Sequence, residues 1–163
     1  MRSRSARLGS ALGRYMSDRA NLERFVSGVS RLVVPVVEEL GLQSAWLPRG
    51  PDETLCAMFD DSICLLVYLA MGHGINLTAC VAPTFDNTWN PASERGLSWL
   101  TKYLGLAPWE NTRRYASYDE RDEYLLLLAR LLPELVATIR GQGTGFWPKL
   151  YAFVENYPGR VPV

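Results

Sequence analysis

Residues 55–83 read LCAMFDDSICLLVYLAMGHGINLTACVAP, and the way this stretch pairs with itself decides the fold. Two short interruptions, Asp60-Asp61-Ser62 and Gly72-His73-Gly74, have the length and turn chemistry of hairpin loops. The apolar runs around them, TLCAMF, SICLLVYLAM and GINLTACV, have strand length. The third alternates, with Ile75, Leu77, Ala79 and Val81 on one face and Asn76, Thr78 and Cys80 on the other. The spacing predicts a three-strand antiparallel meander, and LQSAWL (residues 42–47) is a candidate fourth strand. The middle strand is apolar at nearly every position. That suits a central strand covered on both faces, or one whose outer face meets another molecule.

Helices flank this sheet on both sides in sequence. From Ser17 to Gly41, Leu22, Phe25, Val26, Val29, Leu32, Val33, Val36, Val37 and Leu40 recur at spacings of three and four. They predict an amphipathic helix ended by Gly41. Pro35 deletes one of its backbone bonds, so a kink or short break is expected near Leu32. Beyond the sheet, PTFDNTWNPASERG is a long loop, and Asn90-Pro91 is a plausible helix start. LSWLTKYLG then forms a short helix with Leu97, Leu100 and Leu104 inward. LAPWENTRRYAS connects onward. Ser117 and Glu120 form a capping box that opens a leucine-rich helix ended by Gly141, and FWPKLYAFVENY offers Phe146, Leu150, Phe153 and Val154 to the core. The expected fold is α+β: an N-terminal helix, a three- to four-stranded antiparallel meander, and C-terminal helices packed on the sheet. One domain spans residues 17–163, without internal repeats.

Composition bounds the function. A chain of 163 residues, 48% hydrophobic and 21% charged, can bury a core without disulfides or metal. The longest apolar run, Ile63 to Met71, is far short of the ~20 residues that cross a bilayer as a helix. The net charge of zero hides an asymmetry, because Arg2, Arg4, Arg7 and Arg14 precede the first acid, Asp18. Setting those four of the 17 basic residues aside leaves 13 against 17 acids, a formal −4 on the body. Phosphate binding needs clustered Lys and Arg, so nucleic acid is not the expected partner, and the composition and short apolar runs make membrane an unexpected one too. Residues 1–16 are expected to be a basic, flexible N-terminus. They have no apolar segment of a secretory signal, which makes the cytoplasm the default compartment.

The residues that could carry chemistry are sparse. Cys56, Cys64 and Cys80 match no zinc spacing, and three is an odd number for a disulfide framework, so they read as small buried hydrophobes. His73, the only histidine, sits between two turn glycines with no adjacent carboxylate to orient it. The paired acids Glu38-Glu39, Asp119-Glu120 and Asp122-Glu123 point in different directions on helices and solvate outer faces. No phosphate loop, dinucleotide fingerprint, nucleophile elbow or HExxH motif occurs. GQGTG (residues 141–145) follows a helix and lacks the Lys-Ser/Thr of a phosphate loop, so it reads as a cap and turn. No catalytic residue, no metal ligand and no cofactor is expected.

Surface remains. The chain has five Trp and eight Tyr, several outside the periodic segments. Trp89 is flanked by Asp86 and Glu94, and Trp109 is followed by Glu110, so two loops combine aromatic anchors with acids. Aromatics dominate interface energetics and acids steer association with basic partners. Both tryptophans could instead fold back over the sheet edge. Asp60 and Asp61 join the candidate partner-binding set from the first hairpin loop, where turn propensity also accounts for them.

The order of a long helix, a meander, WLTKYLGLAPW, the capped helix DERDEYLLLLARLLPELVATIRG and a closing FWPKLYAFVENY resembles small bacterial immunity proteins that sit beside polymorphic toxins. Many of those share a meander, a short LLxxLG-like helix and a leucine-rich helix ending in Gly. The likeness covers residues 40–156. It implies a non-enzymatic cytoplasmic protein, monomer or homodimer, that binds a cognate toxin domain and blocks its active site. Asp86, Glu94 and Glu110 would then pair with basic residues of the toxin while Trp89 and Trp109 fill pockets. The segment from VVPVVEELG through GINLTACV is also similar to the first half of type III secretion chaperones, acidic dimers that wrap the unfolded start of an effector. That family places another hairpin later, and LAPWENTRRYAS is too short and polar to supply it. A third reading is an enzyme with a site dispersed over His73, a cysteine and an acid.

Overall fold

The computed structural model describes residues 19–48, 53–70, 76–85, 95–109, 112–114, 118–143 and 145–158. The expectations for residues 1–16, for the His73 turn, for the Asn90-Pro91 start and for the Ser117 cap fall outside these residues. The sheet is built from β1 (Gln43–Pro48), β2 (Glu53–Phe59), β3 (Cys64–Ala70) and β4 (Asn76–Ala82), an antiparallel four-strand meander. Two short strands complete it. β5 (Arg95–Gly96) pairs with Cys80 and Val81, and β6 (Thr112–Arg114) pairs with Asn76 to Thr78. They share the outer edge of β4 end to end, so six strands occupy five positions. The segment LAPWENTRRYAS thus contributes one strand where a plain connection was expected. TRR forms a three-residue edge pairing with β4.

The register explains the two faces of the sheet. Trp46, Cys56, Val67 and Ala79 stand in one row across β1 to β4, and Ala45, Ala57, Leu66 and Cys80 in the next. Side chains alternate between faces along each strand, so these rows face opposite ways. Cys56, Met58, Leu65, Val67, Leu69, Ala79 and Val81 join the core shared with the helices. Leu55, Ala57, Cys64, Leu66, Cys80 and Ala82 form a second cluster, with Leu47, Phe59, Tyr68 and Phe85 packed on it. β3 therefore buries side chains on both faces, as its unbroken apolar sequence requires.

The first helix, α1 (described over residues 19–32), breaks at Val33 and resumes as α2 (Val34–Glu39) with Pro35 in its first turn. The break is the expected proline effect, placed where the missing N–H costs least. Phe25, Val29, Val33 and Val37 are buried along one stripe. Val26, expected inward, is exposed, and Asn21 and Gly28 take buried positions instead. Gly28 permits a close approach to α4 (Tyr118–Gln142): a Cβ there would lie 3.0 Å from Leu125 Cδ1. α3 (Leu97–Leu104) ends at Gly105 with φ of 69°, and Leu97 and Leu100 are fully buried. α4 runs to Gln142, one residue past Gly141, because the left-handed position that terminates it falls on Gly143, φ 76°. α5 (Phe146–Glu155) buries Phe146, Leu150 and Val154. The class is α+β.

Candidate functional site

The β2–β3 turn is the most constrained polar feature among the described residues. Asp60 Oδ1 accepts from Ser62 N at 2.7 Å, Ser62 Oγ at 2.6 Å and Ile63 N at 3.0 Å. Asp60 N donates to Ile63 O at 3.0 Å. Short polar side chains favour such turns because they replace backbone hydrogen bonds two and three residues on. The other carboxylate oxygen, Oδ2, accepts from Arg140 Nη2 at 2.6 Å and Nε at 3.2 Å. Arg140 Nη2 also donates to Leu40 O at 2.9 Å, and Trp147 Nε1 donates to Ser62 O at 3.1 Å. The turn is thereby tied to the ends of α2 and α4 and to α5. Partial burial works to raise the Asp60 pKa. The hydrogen bonds from Ser62, Arg140 and Ile63 outweigh it and bring the value from 3.8 down to about 2.

Asp61, the next residue, is exposed. It lies where two clefts of ≈ 440 and ≈ 410 Å³ meet, both of which it lines together with Thr84. One cleft is walled by Phe59 and Phe85, whose rings stack at a centroid distance of 4.2 Å. The other is walled by Phe146 and Trp147, with Arg140 alongside. Arg140 is neutralised by Asp60, and Asp61 is a carboxylate of the groove with no hydrogen bond or ion pair to a described residue. Glu38 and Glu39, exposed on α2, precede Gly41 at its rim. An exposed carboxylate on a rigid turn between aromatic faces can receive a basic side chain, whose cation gains from both.

The other candidates lie elsewhere. Asp86, Trp89, Glu94 and Glu110 fall outside the described residues, although Asp86 directly follows Phe85 in the chain. Trp109 packs against Tyr124 with ring centroids 5.0 Å apart. Tyr124 stands 16 residues before Arg140 on the same helix, about 24 Å along its axis, so Trp109 and the Asp60 turn do not form one patch. Trp109 instead borders a cleft of ≈ 490 Å³ with Trp99, Lys102 and Leu106. Phe59, Phe85, Arg140 and Trp147 were not singled out from sequence. Arg140 in the last turn of a helix and Trp147 just after a glycine-rich turn were the available signals.

The cysteines behave as packing residues. All three are buried thiols, with Cys64 and Cys80 on the second sheet face and Cys56 among the helices. Burial pushes the Cys56 pKa up to about 12, which leaves no thiolate for nucleophilic work near neutral pH. Among the described residues no cluster of His, Cys, Asp and Glu could hold a metal ion, and no helix is long and apolar enough to cross a membrane. No protein-family model matches the chain, and neither a curated protein nor a solved structure matches it.

Proposed function

We propose that this chain is a non-enzymatic immunity or inhibitor protein that binds a cognate bacterial toxin domain and occludes its active site. The observation that supports the reading is the division of labour between adjacent acids. Asp60 is spent on internal bonds that fix the turn, and Asp61 is held outward by them, between aromatic walls, with no hydrogen bond or ion pair to a described residue. A turn fixed beforehand loses little entropy when a partner's basic side chain docks on it. Asp86, Trp89 and Glu94, in the loop that continues from Phe85, would extend this surface.

The test is a pull-down from native cell lysate with the tagged chain and its Asp61→Lys variant side by side, followed by mass identification. One folded toxin-like domain, recovered in stoichiometric amount with the unaltered chain and depleted with the variant, is the expected result. Equal recovery by both would remove the Asp61 groove from the interface. An unfolded secretion substrate would favour a chaperone instead.

A further inference from the structure

We infer that the cleft between α3 and the segment after it is a small-molecule site for a flat, largely apolar ligand carrying an anionic group. At ≈ 490 Å³ it has the volume of a ligand pocket. Its walls are the indoles of Trp99 and Trp109 with Leu106, and none of its described lining residues is acidic. Among the described residues one cation, Lys102, lines it. The ammonium lies 4.0 Å from the Tyr157 ring centroid and 5.7 Å from that of Trp99, so it is positioned by π faces and no carboxylate is paired with it among the described residues. Two of the last α3 carbonyls are already used: Gly105 N donates to Lys102 O and Leu106 N to Thr101 O. Lys102 is the formal charge that the described residues present to the cleft.

A second feature points the same way. Trp109 Nε1 is buried without a hydrogen-bond partner among the described residues. An unmet buried donor is unfavourable, and an acceptor on a ligand seated against the indole would satisfy it. Indole faces suit a planar hydrophobic body, the ammonium suits a carboxylate or sulfonate, and the indole N–H suits a second acceptor. This site lies beside the N-terminal half of α4, away from the Asp61 groove, and the two stand or fall separately.

The probe is 8-anilinonaphthalene-1-sulfonate, an anion with a flat naphthalene body, with neutral N-phenyl-1-naphthylamine as its uncharged counterpart. The expected result is saturable 1:1 binding of the anion, weakened about tenfold by Lys102→Gln and restored by Lys102→Arg. The neutral dye should bind both variants alike. Energy transfer from tryptophan to the bound anion should fall in Trp109→Phe, with near-UV circular dichroism checking that the variant is folded. Non-saturating binding, equal affinity in Lys102→Gln, or transfer unchanged by Trp109→Phe would each overturn the assignment.

Discussion

Arg140, in the last turn of α4, closes on Asp60 in the β2–β3 turn at 2.6 Å, and the same nitrogen lies 2.9 Å from Leu40 O. Three segments far apart in the chain thus meet at one guanidinium: the end of α2, the sheet turn and the end of α4. Arginine suits this junction because its planar fork presents several donors in fixed directions, which an ammonium cannot do. The consequence reaches the surface, since the turn that Arg140 fixes is the one that points Asp61 into the groove.

Removing the guanidinium should therefore cost more than an ordinary surface ion pair. In Arg140→Met, Asp60 loses its charge partner and Leu40 O loses a donor. We expect a loss of about 2 kcal/mol, read from the urea unfolding midpoint. Arg140→Lys should fall between the two proteins. A midpoint equal to that of the unaltered chain would mean that the junction does not hold the turn.

The same carboxylate sets an acid limb. Its folded pKa of about 2 lies below the ordinary 3.8, so the unfolded chain takes up the proton first as pH falls. The stabilisation is fully present above the unfolded value and is lost as pH drops through the folded one. Asp60→Asn should be less stable than the unaltered chain near neutral pH and lose less between pH 3.8 and about 2. Urea midpoints across that range check this, and parallel curves would assign the acid limb to other groups.

The sheet was legible in the sequence because two short polar turns cut an apolar run into strand-length pieces, and the hydrophobic period of α1, α3 and α5 marked their buried stripes. What was not legible came from partners distant in sequence. Arg140 and Asp60 are 80 residues apart, and neither residue type announces the other. Trp147 reads as one more core aromatic until its indole N–H is seen on Ser62 O. Gly28 looks like a weak point in a helix, and only the proximity of α4 explains it. The short β5 and β6 carry too few residues for any periodicity.

Asp61→Lys should separate binding from folding. The side chain is exposed and makes no described hydrogen bond, so stability should stay within about 0.5 kcal/mol. Association with a basic partner should slow, and the salt dependence of its rate should flatten. Stopped-flow association at two ionic strengths reads both effects. A variant that lost stability as Asp60→Asn does would show that the two acids share one structural role.

Thiol labelling tests the packing of the sheet. Cys56, Cys64 and Cys80 are all buried, and Cys56 is further suppressed by its raised pKa. With a chromogenic disulfide reagent at neutral pH, the native protein should react far more slowly than the urea-unfolded chain, where all three thiols become available. Rapid native-state labelling mapped to Cys64 or Cys80 would locate an opening of the second sheet face, where both lie, and labelling of Cys56 would place it in the core shared with the helices.

Gly28 decides how closely α1 seats on α4. A Cβ at this position would lie 3.0 Å from Leu125 Cδ1 and 3.3 Å from Asp122 Oδ1, and Leu125 is itself fully buried. In Gly28→Ala the squeeze opposes a helix-propensity gain of about 1 kcal/mol, so the net change should be small. Gly28→Val adds two further methyl groups that this space does not hold, and overpacking there should cost about 2 kcal/mol. It should also disturb the Arg31–Asp122 ion pair, whose atoms are 2.7 Å apart. Thermal denaturation of both variants separates the effects. If valine were as well tolerated as alanine, the helices would have to meet at a wider spacing than the one that buries Val29 and Leu125.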